Sequence, residues 1–315
     1  MRELKLLLAA LLLTGPSLVH ADAADIPGLA TWYLHVNFEQ MRTAEAGKGV
    51  YDWLEGEVFD DLRDDAGLDV GKELDRLTAY SLKGQGPVFL FEGNISQDSK
   101  DKIMAFIAAE GDLQPLKSSR KSYYRLANNG SDDDPTSIGT DKIEVELESL
   151  GRESWISMDI SNKVIVTSNE EQMKDMLKNG GKIAGNGSHN GALLVLTAEK
   201  TLLQAGMNSS VMGQGDDGDS SWDSNILRNT EQVAFLVAAA ANKLAIEAKL
   251  ITTEPDMAQS LASVARGLIS LVSFDSEMDP DAAAVLRGTK VEAKGNALSI
   301  SLAIDSDLLV STLSD

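Results

Sequence analysis

Residues 215–225, "GDDGDSSWDSN", place Asp216, Asp217, Asp219 and Asp223 around Trp222, a carboxylate density that suits an oxygen-ligand calcium loop. Counted from Asp217, an EF-hand loop finds acceptable oxygens at Asp219 and Ser221. It then needs glycine where Trp222 stands and a bidentate glutamate where Arg228 stands. Glycine-rich calcium repeats need stacked copies, and the chain offers one. The loop therefore has room for weak calcium binding at most, in a shallow site of about millimolar affinity. Its plainer reading is a soluble connector.

Other chemistries fail on residue type or spacing. Nucleophilic catalysis needs an activated side chain beside a base, yet the chain has no cysteine, and past residue 23 its histidines are His35 and His189. His35 falls inside an apolar run, which suits a hydrogen-bonded structural histidine. Ser188 in "GNGSHNG" is flanked by Asn186 and Asn190 and lacks the strand and helix of a nucleophile elbow. "AGKG" at residues 46–49 has Arg42 where a phosphate loop needs its first glycine and Gly49 where it needs Ser or Thr. "GGKI" at residues 180–183 has Met176 in that first place. Met173 and Met176 are soft enough for copper, but Leu177 completes an apolar helical face with them, so they read as core. Forty-nine acidic residues make chance carboxylate pairs common, which leaves a glycosidase-type pair formally open. Glu57, Asp61 and Asp65 recur every four residues, with Asp60, Asp64 and Arg63 beside them, and read as a solvated helical face. No catalytic, cofactor-binding or metal-ligating residue is assigned.

The leader and the charge bound where such a chain works. Arg2 and Lys5 precede an apolar run over residues 6–13, then Gly15, Pro16 and the small residues Ala21 and Ala23, the layout of a secretory signal peptide spanning 1–23. Eight unbroken apolar residues fall far short of the ~20 that cross a bilayer as a helix, so no membrane span is expected. A formal net charge of -21 repels phosphate backbones and argues against nucleic-acid partners. Without cysteine, the cores must be held by packing alone.

The elements read as two copies of one α+β plan. Residues 29–38 form a buried strand. A helix carries Val50, Trp53, Leu54, Val58, Phe59 and Leu62, and strands at 77–83 and 88–95 follow, joined by "GQGP". A helix bearing Ile103, Phe106 and Ile107 and a strand near 121–126 complete a βαββαβ order. A strand over 143–147 and then a hairpin turning at 161–163 come next. Ser168 and Glu171 make a capping box for the helix of Met173, Met176 and Leu177. From Gly191 the plan restarts with "ALLVLTA", two long apolar strands, and a helix capped by Thr253 and Asp256. Met257, Leu261, Val264, Leu268 and Leu271 mark its buried stripe. A closing hairpin at Gly295 and Asn296 and a last helix match the first copy's end. The expected organisation is a first repeat over 24–180, a linker over 181–190 and a second repeat over 191–315. Each is an antiparallel sheet of ferredoxin-like order plus a hairpin and helix, with helices on one face. Aligning the copies sets Trp222 in the place of Trp53, and these two tryptophans are the candidate interaction anchors.

"TWYLHVNFEQMRTAEAGKGVYDWL", "ALLVLTAEKTLLQAGM" and "WDSNILRNTEQVAFLVAAAANKLAIEAKLITTEPDMAQSLASVARGLISL" resemble a family of uncharacterised exported proteins of Gram-negative bacteria. The resemblance implies a periplasmic address and carries no activity, cofactor or site residue with it. The reading is a non-catalytic exported protein that binds a protein partner or small ligand through a surface or inter-domain groove. Its rivals are a carboxylate-dependent envelope enzyme of glycan-hydrolase type and an acidic calcium-dependent envelope protein.

Overall fold

The computed structural model describes residues 30–127, 153–183, 189, 191–200, 226, 228–274 and 278–313. Its strands are β1 (Ala30–Asn37), β2 (Leu74–Leu82), β3 (Pro87–Gly93), β4 (Asp112–Ser118), β5 (Lys121–Ala127), β6 (Glu153–Ser157), β7 (Lys163–Thr167), β8 (Ala192–Glu199), β9 (Thr230–Ala240), β10 (Lys243–Thr252), β11 (Lys290–Lys294) and β12 (Ala297–Ile304). The helices are α1 (Phe38–Thr43), α2 (Glu45–Leu54), α3 (Asp60–Ala66), α4 (Val70–Glu73), α5 (Gln97–Glu110), α6 (Glu170–Lys178), α7 (Pro255–Val272), α8 (Pro280–Gly288) and α9 (Ser306–Leu313). A π-turn over Glu55–Phe59 joins α2 to α3.

The α+β composition holds, but the strands form one sheet where two were expected. Its order is β11-β12-β10-β9-β8-β1-β2-β3-β7-β6-β5-β4, and every pairing is antiparallel. A ferredoxin-like unit would interleave its strands through helical crossovers. Here β1, β2 and β3 lie side by side in sequence order, as do β8, β9 and β10; short turns join β2 to β3 and β9 to β10, whereas β1 returns to β2 through the helices over residues 38–73. The first strands of the two expected copies, β1 and β8, pair with each other from Trp32↔Ala198 to Val36↔Leu194. That pairing consumes both strands' free edges and fuses the sheet.

Alternation along the strands sends side chains to two faces, and helices cover both, not one. Tyr33, Tyr80, Leu90, Ile165 and Val195 share a face closed by Met173, Met176 and Leu177 of α6, together with Ile183. On the opposite face, Leu34, Val36, Leu77, Phe91 and Leu194 pack under α1, α2 and the π-turn with Phe38, Met41, Tyr51 and Phe59, and Leu244 and Leu309 join the same core. A third cluster sits where α7 lies over β10, β12 and β11. Two of the caps shift from their expected residues. Asn169, not Ser168, accepts from the Gln172 amide, and α7 starts behind Glu254 with Pro255 in its first turn and no side-chain cap bond. A proline there supplies the fixed φ that a helix start needs.

Candidate functional site

The helix α7 is where the structure departs most from its sequence pattern. Two apolar seams run along it, each with alternating steps of four and three residues. Met257, Leu261, Val264, Leu268 and Leu271 form one, and Ala258, Ala262, Ala265 and Ile269 form the other, one residue further on. The large-residue seam was expected to be buried. Instead the sheet takes the alanines: Ala258 and Ala262 are fully buried against Leu298, with Leu250, Val291 and Ala293 around them. Small side chains let a helix approach a sheet closely, so Ala258 and Ala262 fix which side faces inward. Leu261 is shared between the seams, whereas Val264, Leu268 and Leu271 are exposed, Leu271 at 73 %. Val272 and Phe274, the latter at 80 %, extend the exposed surface past the helix end.

The helix is held firmly despite this. Arg266 donates from Nε and Nη2 to the Val291 carbonyl of β11 at 3.2 and 2.9 Å, Arg287 of α8 reaches the Ser273 carbonyl at 3.4 Å, and the Ser273 hydroxyl donates to the Ser270 carbonyl at 3.0 Å. Asp256 and Arg266 are its only charged residues among eighteen, in a chain that is 24 % charged. An apolar, charge-poor surface on a tethered helix can bury itself against a second apolar surface, with little side-chain ordering to oppose the gain.

The second concentration of functional side chains is internal. His35 on β1 and His189, just ahead of β8, lie far apart in sequence, yet their ring centroids are 4.7 Å apart on the face covered by α6. His35 Nδ1 shares a hydrogen bond with the Thr78 hydroxyl at 2.9 Å, and His189 Nε2 shares one with the Tyr33 hydroxyl at 2.7 Å. The imidazoles are 5 % and 6 % exposed. Burial first, then the charges of His189 and Arg76, pull the His35 pKa down to about 4, so it is neutral at pH 7. Two buried, hydrogen-bonded imidazoles, that of His35 neutral, are what a structural role requires, as expected for His35. The meeting with His189 had no signal in spacing, because it depends on β1 lying beside β8.

The other expected sites stand apart from these. Trp53 is half-buried on α2, and Asp216, Asp217, Asp219, Trp222 and Asp223 lie outside the described residues. Arg63 draws in part of the acidic cluster, pairing with Asp60, with Glu55 at 3.3 Å and with Asp69 at 3.4 Å. Among the described residues no three His, Cys, Asp or Glu side chains gather as a metal site, and no helix is long and apolar enough to cross a membrane.

Comparison with known proteins adds little to this geometry. No protein-family model matches the chain, and no curated protein does. Crystal forms IV, III and I of TP0453 resemble it at 10, 9 and 9 % identity, covering 93, 92 and 92 % of this chain and 95, 96 and 95 % of theirs. Their TM-scores are 0.46, 0.45 and 0.39, too low to bear on activity or partners.

Proposed function

We propose that this is a non-catalytic exported protein of the periplasm that docks a protein partner along the exposed seam of α7. One observation carries the reading. Of seven exposed large hydrophobic residues among those described, five fall within residues 264–274. Scattered exposed leucines need no explanation, but a contiguous run on one helix marks an interaction surface. The partner-binding face is a single helix side on a broad sheet, not a groove between domains.

The strand order also supports a duplicated plan. Outward from the β1–β8 junction, one direction reads β1-β2-β3-β7-β6 and the other β8-β9-β10-β12-β11, each three strands in sequence order followed by a later hairpin taken in reverse. In this reading β4 and β5 are the first copy's addition, and both copies share one sheet.

Capture from an envelope extract by the immobilised leader-free protein, identified by mass spectrometry, tests the reading. A reproducible bound protein should be lost in Leu268→Glu/Leu271→Glu. Equal capture by wild type and variant, with unchanged melting temperatures, would remove the seam from the function.

A further inference from the structure

We infer that the seam of α7 is occupied by α7 of a second copy of this chain, packed helix against helix across a two-fold axis. The inference rests on the docking reading above and names its occupant.

The shape of the surface selects a helix. Steps of four and three residues from Met257 to Leu271 give a 3.5-residue repeat, the pattern whose side chains interlock with a like-patterned neighbour, and Val264, Leu268 and Leu271 are the positions left open. A strand or an irregular loop presents no matching row. A helix with this seam is present in every copy at equal concentration, and a two-fold interface asks only that the patch complement itself.

The area suffices for a reversible pair. Val264, Leu268, Leu271, Val272 and Phe274 together expose roughly 500 Å² of surface, near the upper end for the largest patch of a monomer and more than half of the ~800 Å² each partner gives a standard interface. The serines of α7 and residues of α8 can supply the rim. Edge-to-edge pairing of β11 is disfavoured by comparison, since an antiparallel match centred on Glu292 sets glutamate against glutamate and Lys290 against Lys294.

Charge separates this occupant from others. Two copies carry -21 each and repel over long range, so screening by salt must tighten a dimer, whereas it would loosen a complex with a basic partner. An anionic lipid surface is repelled by the same charge, and α7 offers it one arginine and no lysine.

Sedimentation of the leader-free protein from ~1 to ~100 µM, at low and at moderate salt, is the test. The expected result is a monomer–dimer equilibrium whose dissociation constant falls several-fold as salt rises. It should weaken at least tenfold in Leu268→Glu/Leu271→Glu and persist in Gln259→Glu/Ser263→Glu, which adds the same two charges off the seam. Circular dichroism confirms that both variants fold. A monomer at every concentration overturns the inference, and seam-dependent capture of a different protein would then leave the docking reading standing. A dimer indifferent to the seam substitutions overturns it too. So does a monomer that floats with neutral phosphatidylcholine vesicles through an intact seam.

Discussion

The His35 imidazole illustrates how far one buried group reaches into the behaviour of the chain. Its pKa lies at about 4 in the fold against about 6.5 when free, so between those values the unfolded state binds more protons than the folded one. The contribution of this site to stability is therefore fully present above pH 6.5 and falls as the pH drops towards 4. The loss from this site is about 3 kcal/mol at its limit. His35→Asn, which keeps a hydrogen-bonding atom near the place of Nδ1 for Thr78, should unfold at a lower temperature at neutral pH yet lose less of its stability between pH 6.5 and 4. Equal slopes in the two proteins would place the proton uptake elsewhere. Gly93 makes a second residue-scale case. It lies opposite Leu74 at an irregular step of the β2–β3 ladder, where an added Cβ would run into the Glu73 carbonyl oxygen and the Asp75 amide nitrogen. Gly93→Ala should cost about 3 kcal/mol or more in urea unfolding, since backbone atoms cannot step aside as a side chain can. Neither feature was legible in the sequence. His35 was recognisable as structural from its strand, but its neighbour His189 and the crowding at Gly93 both come from contacts between distant segments.

At the scale of the element, α7 shows why periodicity finds a helix more reliably than it finds the buried side. The apolar arc of this helix spans both seams, and weighting by hydrophobicity favours the leucines over the alanines. Close approach to β12 reverses that preference, because Ala258 and Ala262 fit beneath the helix and leucine there would lift it away. Ala262→Leu is accordingly expected to destabilise by about 1–3 kcal/mol through overpacking. Leu271→Ser, at the residue ranked more hydrophobic, should change stability by less than about 0.5 kcal/mol. Thermal unfolding of the two variants side by side checks the inversion, and a larger loss at Leu271 would mean the leucine seam faces the core. Hairpin turns were more legible. Gly84, Asn162 and Gly295 take positive φ at turns marked by local sequence, because turn chemistry is written in adjacent residues. The outer strand β4 was not read from the sequence at all, although Pro115 and Lys117 on it, like Lys290 and Lys294 on β11, stand where an open edge needs blunting.

Across the whole molecule, the decisive contact joins the two expected copies. Sequence order suggested two self-contained sheets, since each copy begins with a strand, a helical stretch and a pair of strands. Nothing local reports that β1 and β8 prefer one another to solvent. Once paired, they make the cores interdependent. Val36, Phe38, Met41 and Tyr51 from the first copy enclose Leu193 and Leu244 from the second, while Ala192 and Val195 of β8 complete the cluster around Tyr33 and Met173. Residues 24–190 expressed alone would bare the β1 edge and open both clusters, and residues 191–315 alone would lose the helices that cover Leu244. Each fragment should therefore lack a cooperative thermal transition. Co-expression should restore a stoichiometric complex in which the Trp32–Val36 amides are protected from hydrogen exchange, because the antiparallel ladder of β1 and β8 can form between separate chains. Either fragment melting cooperatively alone, with native-like strand content, would restore the reading of two independent units and confine the β1–β8 ladder to a docking contact between them.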